Sequence, residues 1–190
     1  MELVCPAGAR RAADLEEVLG ELNRLSELCA RAFEGFCGRK ALCHNDLDPK
    51  NVLWQGGEPV VIDWEAAGFS GVSRDFLETA LYWSQNADGS VNRERFLAFA
   101  RGYTSRCGLE AVDWNAVLHQ GLASKLEWLE YSLKRSLGLT GAEDAERRLG
   151  TEQVVPTIRG IQAYARQFPE LTALLREAEA RRGTRAGEGK

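Results

Sequence analysis

The sequence predicts a mainly helical α+β fold with one small β-hairpin. Apolar residues recur at spacings of three and four in residues 12–36 and again through most of the chain after residue 92, which indicates amphipathic helices. Between them, two short runs rich in branched residues flank a Gly-Gly pair, a pattern typical of an antiparallel hairpin. With 190 residues, 44% of them hydrophobic, the chain fits one domain, which we place at residues 1–180 with a flexible tail at 181–190.

The first half of the chain alternates between helical and extended patterns. A helix at 12–36 is followed by a short extended segment at 41–43 and by strands at 51–54 and 59–64, with the turn at 55–58 between the two strands. A Gly-rich loop is predicted at 65–73 and a helix at 74–84.

After residue 92 every apolar pattern is helical. We expect helices at 93–107, 114–137 and 143–168, and a last short helix from Pro169. Pro156 falls inside the third of these and should kink or split it, because proline removes a backbone donor and crowds the preceding turn. The segment 153–168 is therefore a candidate separate helix.

Composition excludes several classes of partner. The formal net charge of −4 argues against a nucleic-acid or anionic membrane surface and favours a neutral or cationic ligand. The five cysteines form no C-x-x-C pair, which fits reduced thiols better than a disulfide framework or a zinc site. Since the sequence also shows no signal peptide and no apolar run near 18 residues, we expect a soluble cytoplasmic protein.

Three polar residues next to the predicted hairpin suggest chemistry. Asp46 and Asn51 lie in a polar loop between apolar runs, and Asp63 ends the next apolar run. The turn at 55–58 puts Asn51 and Asp63 at the same end of two antiparallel strands, so that one cation can contact both side chains. A carboxylate that accepts a hydroxyl proton, together with an amide oxygen and a second carboxylate that hold magnesium, is what metal-assisted phosphoryl transfer requires.

The pattern His44-x-Asp46-x4-Asn51, followed by Val61-Ile62-Asp63, resembles the catalytic and metal-binding segments of the aminoglycoside phosphotransferase family. That family is the small-molecule branch of the protein-kinase-like fold and includes relatives such as choline kinases. The resemblance implies the C-terminal lobe of that fold, with a catalytic loop at 42–54, a metal-binding strand at 59–65 and a helical subdomain at 74–180.

The resemblance assigns a role to each residue of the two segments. Asp46 would be the catalytic base, and Asn51 and Asp63 would hold Mg²⁺ against the phosphates of ATP or GTP. His44 would be a scaffold residue that bonds backbone atoms. Asp75 would either fix the backbone of the loop or simply occupy a helix start, where the helix dipole favours a carboxylate.

The chain also departs from the protein-kinase pattern. Asp48 stands where Ser/Thr kinases place a phosphate-contacting Lys, and Lys50, two residues later, is the candidate phosphate contact here. Glu65 replaces the Gly of the D-F-G motif, so this is not a protein-kinase activation segment. We therefore expect a small-molecule hydroxyl acceptor and not a protein substrate.

The acceptor pocket in aminoglycoside kinases is built by helices after the metal-binding strand and uses acidic side chains to hold ammonium groups. Candidate acids here are Asp113, Glu127 and Glu130, with Trp128 and Tyr131 as candidate pocket walls. The alternative is that the two glutamates lie on a solvated helix face while the two aromatic residues pack in the core or at a surface groove.

The nucleotide-clamping lobe of such kinases is expected to be absent. Only 43 residues precede His44, the only Lys among them is Lys40, and no G-x-G-x-x-G occurs. Three hypotheses follow: a small-molecule kinase lobe that transfers a γ-phosphoryl group to a hydroxyl, a truncated non-catalytic ligand-binding protein, or a subunit completed by self-association or by a partner chain. An exposed apolar docking face that includes Trp54, Trp64 and Phe69 would favour the third.

Overall fold

The computed structural model describes residues 7–33, 38–108, 112–141 and 143–183. Within these ranges the protein is mainly helical, with two small antiparallel sheets, and the predicted α+β class is confirmed. In chain order the elements are α1 (Ala7–Phe33), β1 (Lys40–Cys43), β2 (Val52–Gln55), β3 (Glu58–Val61), β4 (Gly68–Gly71), α2 (Val72–Ser84), α3 (Arg93–Thr104), α4 (Trp114–Ser136), α5 (Asp144–Arg166) and α6 (Phe168–Gly183).

The predicted hairpin is present. Strands β2 and β3 pair in antiparallel register with Gln55 opposite Glu58, which leaves Gly56 and Gly57 as a two-residue turn. Both glycines have positive φ, +60° and +89°, the left-handed backbone that residues with a Cβ rarely adopt.

The segment predicted as a loop at 65–73 contains a strand, so that prediction is wrong in part. A 3-10 turn at Trp64–Ala66 leads into β4, which pairs antiparallel with β1 so that Cys43 lies opposite Gly68. Sequence periodicity does not reveal a four-residue strand that contains two glycines and whose partner precedes it by more than twenty residues. The pairing holds the start of the polar loop beside the segment that follows Asp63.

The predicted split of the third long helix is also wrong, because α5 continues through Pro156. Pro156 has no backbone N–H, so the carbonyl of Glu152, four residues earlier, loses its helical hydrogen bond. Both residues are exposed, so water can donate to the freed oxygen. Helix α6 spans 16 residues and is not short. The predicted end of the first helix at residue 36 and most of the predicted tail, 184–190, lie outside the described residues.

The core forms where α4 packs against α1, α2, α5 and α6. Gly150 lies at a close approach of α5 to α4, since a Cβ there would lie 2.8 Å from the Ser136 nitrogen and 2.9 Å from the Ser132 oxygen. None of the helices in the described part of the chain is both long and apolar enough to cross a membrane. The largest fully buried apolar side chains are Phe76, Phe96, Leu77, Leu118, Leu122, Ile161, Leu171, Leu175 and Val117.

Candidate active site

Asp46 and Asn51 are bonded to each other across the polar loop. Asn51 is only 4% exposed, and its Nδ2 donates to the main-chain oxygen of Asp46 at 2.8 Å and to Asp46 Oδ2 at 2.9 Å. Lys50 Nζ lies 3.7 Å from the same Oδ2 atom. Both contacts therefore reach one carboxylate oxygen of Asp46 and leave Oδ1 to meet a ligand.

His44 connects this loop to the residue before Asp63. Its buried ring accepts a hydrogen bond at Nδ1 from the Asp46 nitrogen, 3.3 Å away, and its Nε2 lies 3.0 Å from the Ile62 oxygen. Since Nδ1 accepts and Nε2 faces a carbonyl, the ring is the neutral tautomer with its proton on Nε2. The Trp64 ring packs against it with the ring centroids 4.8 Å apart.

Asn45 holds the same loop from the other side. The residue has φ of +62°, which asparagine tolerates better than most side chains, and its backbone nitrogen donates to Asp75 Oδ1 at 3.0 Å. Its Nδ2 donates to the Ala66 oxygen at 2.9 Å, and its Oδ1 accepts from Ser70 Oγ. Asp75 lies in the first turn of α2, so its carboxylate both occupies a helix start and fixes the loop backbone.

Two further bonds fix the end of the loop. Trp83 Nε1, on α2, donates to the Leu47 oxygen at 2.9 Å. Asp48 Oδ1 accepts from the Lys50 nitrogen at 2.9 Å and caps the 3-10 turn at Pro49–Asn51. The loop is therefore held by side chains from α2, β4 and the segment after β3, which fixes the position of Asp46.

Asp63 follows directly after the hairpin. The Ile62 nitrogen donates to the Asn51 oxygen at 3.0 Å, so the two strands remain paired up to the residue before Asp63. Asp63 itself is exposed, adopts left-handed backbone with φ of 62° and ψ of 61°, and makes no side-chain cap bond. Asp63 therefore lies at the end of the hairpin where Asn51 lies.

The donor atoms near this end of the hairpin fit Mg²⁺. In the described ranges no group of three or more His, Cys, Asp or Glu side chains is arranged to hold a metal ion by itself. Magnesium, however, commonly binds through one or two carboxylates plus the oxygens of substrate phosphates. The Asp63 carboxylate and Asn51 Oδ1, which accepts no hydrogen bond from the residues described, are two side-chain groups of the oxygen type that such a site uses.

A cavity of about 590 Å³ opens beside Asp46, within the range of small-molecule sites. One face of each of α2, α4 and α5 lines it, and the loop closes one side. The lining residues are Asn45, Asp46, Arg74, Glu78, Leu81, Tyr82, Gly121, Ser124, Lys125, Trp128, Thr157, Gly160, Ile161 and Tyr164.

Three charged side chains in the cavity wall are incompletely paired. Arg74 Nε lies 3.8 Å from Glu78 Oε2, beyond hydrogen-bond distance, and this buried nitrogen has no hydrogen-bond partner among the residues described. Arg74 also donates from Nη1 to Ser124 Oγ at 3.4 Å. Lys125 Nζ lies 5.1 Å above the centre of the Tyr164 ring and forms no ion pair within the described ranges.

Burial shifts the pKa of several of these groups. Desolvation raises the pKa of Glu78 even though Arg74 and Lys125 act to lower it. Desolvation likewise lowers the pKa of Lys125, although the charge of Glu78 acts to raise it. Burial, assisted by the charge of Glu78, raises the pKa of Tyr82 to about 12, so this phenol stays neutral.

The family model for the phosphotransferase enzyme family, APH, matches residues 5–109, more than half of the chain. The chain belongs to this family. No curated protein matches the sequence. The matched segment contains the whole polar loop, the hairpin, Asp63 and Asp75.

The acidic residues considered from the sequence as acceptor ligands of this phosphotransferase-family protein lie outside the cavity lining. Asp113 is the N-cap of α4 and accepts from the Asn115 nitrogen at 2.9 Å. Glu130 forms an exposed ion pair with Lys134 at 2.6 Å, and Glu127 is exposed.

The two aromatic candidates are neighbours on α4. Trp128 lines the cavity, and the ring of Tyr131 packs beside it with centroids 5.4 Å apart. Tyr131 itself is exposed and lies under the guanidinium of Arg135, 5.5 Å from the ring centre. The structure therefore brings Trp128 to the cavity beside Asp46 and leaves the other four candidates outside its lining.

Sequence reasoning missed Arg74, Glu78 and Lys125. The signal for Lys125 was its position three residues before Trp128, which puts both side chains on one helix face, whereas Glu127 points about 100° away from Trp128. On α2, Arg74 and Glu78 are spaced by four residues and lie off the face that buries Phe76. A search for polar residues in register with a predicted pocket wall would have found them.

Proposed function

We propose that this phosphotransferase-family protein transfers the γ-phosphoryl group of ATP or GTP to a hydroxyl of a small molecule, with Mg²⁺ as cofactor. One observation carries the proposal: Asp46 belongs both to the loop held by Asn51 and to the lining of the cavity. A hydroxyl compound in the cavity thus has a fixed carboxylate beside it.

Asp46 acts as the general base in this reaction. As the acceptor oxygen bonds to the γ-phosphorus, the bond from that phosphorus to the β-phosphate oxygen breaks, and the hydroxyl proton passes to Asp46. Asn51 and Lys50 both contact Oδ2, so Oδ1 is the oxygen that receives the proton.

Asn51 and Asp63 would hold the metal ion through their side-chain oxygens. Bound Mg²⁺ neutralises the charge that develops on the phosphates. Lys50, an exposed ammonium beside Asp46, is the proposed contact for the transferred group, and turning toward a phosphate would release it from Asp46 Oδ2.

We also assign the fold to the C-terminal lobe of the protein-kinase-like architecture, as one domain in the cytoplasm. The order of parts supports this assignment: a loop with base and amide, a hairpin, then a carboxylate in left-handed backbone. The thiols of Cys29 and Cys43, which are free and buried, fit a reducing compartment.

Radiolabel transfer tests the reaction. The 190-residue chain is incubated with Mg²⁺, γ-labelled ATP or GTP and a panel of hydroxyl compounds. We expect labelled product from the unsubstituted chain and a loss of about 10²- to 10⁴-fold with Asp46→Asn, the usual contribution of a general base. Asp48→Asn is the matched control, because asparagine can still accept from the Lys50 nitrogen.

Each result of this assay bears on a separate claim. Full transfer by Asp46→Asn would refute the role of Asp46 as base. Absence of transfer from the unsubstituted chain to every acceptor would refute catalysis by this chain alone.

A second candidate function is favoured by exposed apolar side chains near the hairpin. Phe69 and Leu42, opposite each other on β4 and β1, are 82% and 67% exposed, and Trp54 and Trp64 are 64% and 56% exposed. Such surfaces mark interaction sites. The protein would then be a subunit that works in an assembly, by self-association or with a partner chain.

Molar mass tests self-association. Light scattering over a range of concentrations should show a species larger than the 21.0 kDa chain, and Phe69→Ser should return it to that mass. A single chain at every concentration would refute self-association.

A further inference from the structure

We propose that the acceptor is a hydroxy acid, whose carboxylate is held by Lys125 and Arg74 in the cavity while its hydroxyl faces Asp46. The inference rests on the proposed function for its link to phosphoryl transfer, and it specifies the chemical class of the acceptor.

The first support is a pair of cationic donors without full partners. Arg74 Nε is buried and bonds no acceptor among the residues described. Lys125 Nζ makes no hydrogen bond or ion pair within the described ranges and lies over the ring of Tyr164, a cation–π contact that holds the ammonium at the cavity wall. A buried charged donor such as Arg74 Nε is unfavourable without an acceptor, and a ligand carboxylate offers one acceptor oxygen to this nitrogen and a second to an ammonium group.

The second support is the weakness of the competing negative charge. Glu78 lies 3.8 Å from Arg74 Nε, so it does not satisfy that nitrogen by a hydrogen bond. Burial also raises the pKa of Glu78, which disfavours its ionised form. A ligand carboxylate thus meets two cations and one poorly placed carboxyl group at this wall.

The third support is orientation. Asp46 lines the same cavity and repels a carboxylate, whereas Lys125 and Arg74 attract it. The acid end of the ligand therefore turns away from the base and the hydroxyl end turns toward it. Trp128 and Tyr82 offer flat walls for the carbon skeleton, and the neutral phenol of Tyr82 can donate to a further hydroxyl.

Matched sets of ligands that differ only in one terminal group, which is anionic, neutral or cationic, test the inference. One set is glycerate, glycerol and 3-aminopropane-1,2-diol, and the other is gluconate, glucitol and glucamine. Affinity is measured by calorimetry without nucleotide near neutral pH. In at least one set we expect the acid to bind about tenfold or more tightly than the neutral compound, as for a charge-assisted hydrogen bond, and the amine to bind most weakly.

Variants of two lysines on α4 locate the effect. Lys125→Gln should lower the affinity for the acid toward that for the neutral compound, because it leaves Arg74 as the only one of the two cations that hold the carboxylate. Lys134→Gln is the matched control, because Lys134 pairs with Glu130 outside the cavity lining, and it should leave every affinity unchanged. Thermal melts of both variants verify that the fold is retained.

Three outcomes would overturn the inference: no preference for the acid in either set, a preference for the amines that Glu78→Gln removes, or an unchanged preference in Lys125→Gln.

Asp46→Asn separates this inference from the proposed reaction, since it should keep the preference for acids and lose transfer. Transfer to neutral or cationic acceptors without a preference for acids would refute the acceptor class alone. A preference for acids without transfer would refute the reaction alone.

Discussion

Asn51 bonds Asp46 twice, through the main-chain oxygen at 2.8 Å and through carboxylate Oδ2 at 2.9 Å, from a single buried amide nitrogen. One side chain thus fixes both the backbone and the carboxylate of the proposed base. The oxygen of the same amide accepts no hydrogen bond from the residues described, so in the proposed mechanism one residue would both position the base and bind the metal ion.

Replacing this residue should therefore affect stability as well as activity. Asn51→Ala removes two hydrogen bonds, one of them to a charged group, and should lower the free energy of unfolding by about 2 kcal/mol. Urea denaturation measures the change. Asn115→Ala, at an exposed position on α4, is the control and should change stability by less than about 0.5 kcal/mol. Equal effects of the two substitutions would contradict the role given to Asn51.

Two glycines on α5 should respond to alanine in opposite directions. At Gly150 a Cβ would meet α4 backbone atoms at 2.8 and 2.9 Å, so Gly150→Ala should destabilise the protein by about 1–3 kcal/mol. At Gly160 a Cβ meets nothing within 4 Å, so Gly160→Ala should stabilise it by up to about 1 kcal/mol through helix propensity. The melting temperatures of both variants test this prediction. A shift of the same sign in both variants would contradict the close packing of α5 on α4 at Gly150.

Glu78 should make stability fall as pH rises. Its pKa in the folded protein lies above the ordinary value of 4.5 because of desolvation, so the folded state holds the proton longer than the unfolded state. Its contribution is therefore fully present below pH 4.5 and is lost as pH rises through the raised pKa. Glu78→Gln should match the unsubstituted protein in acid and be the more stable at neutral pH.

Urea denaturation at a series of pH values measures this difference. Glu152→Gln, at an exposed site on α5, serves as the control, and its stability should follow that of the unsubstituted protein across the whole series. A Glu78→Gln variant that is less stable at neutral pH would show that the contacts with Arg74 and Lys125 outweigh desolvation.

Tyrosine ionisation should be delayed in the folded protein. Burial raises the pKa of Tyr82 to about 12 and also raises the pKa of Tyr103 and Tyr164 above 10.0. Phenolate absorbance should therefore develop at higher pH in the folded chain than in urea, where tyrosines titrate at about pH 10. Tyr82→Phe should remove absorbance that appears near pH 12, and a titration of the variant identical to that of the unsubstituted protein would contradict the raised pKa of this phenol.

The parts of the fold that could be predicted from the sequence are those determined by residues close together in the chain. The Gly56-Gly57 pair specifies the hairpin turn by itself, since both positions need positive φ. Strand β4 was missed because its partner is remote in sequence and because two of its four residues are glycine. Pro156 predicted a break that does not occur, because the carbonyl it frees lies at an exposed position.

The acceptor side shows the limit of reasoning from residue type. Glu127 was considered for its charge, although the helix turns it about 100° from Trp128, which lines the cavity. Thr157 and Tyr164 reach the cavity only because α5 packs on α4, a contact between distant segments that periodicity cannot locate. The roles of Asp46, Asn51 and Asp63 remain predictions until transfer is measured.

The cavity is formed by two parts of the chain, and only the first of them lies in the segment that the family model matches. The loop and α2 fall inside the segment 5–109 that the family model matches, whereas α4 and α5, which form the remaining walls, come after it. If the proposed function is right, substitutions on the cavity face of α4 and α5 should change which compound is bound without altering the loop that carries Asp46.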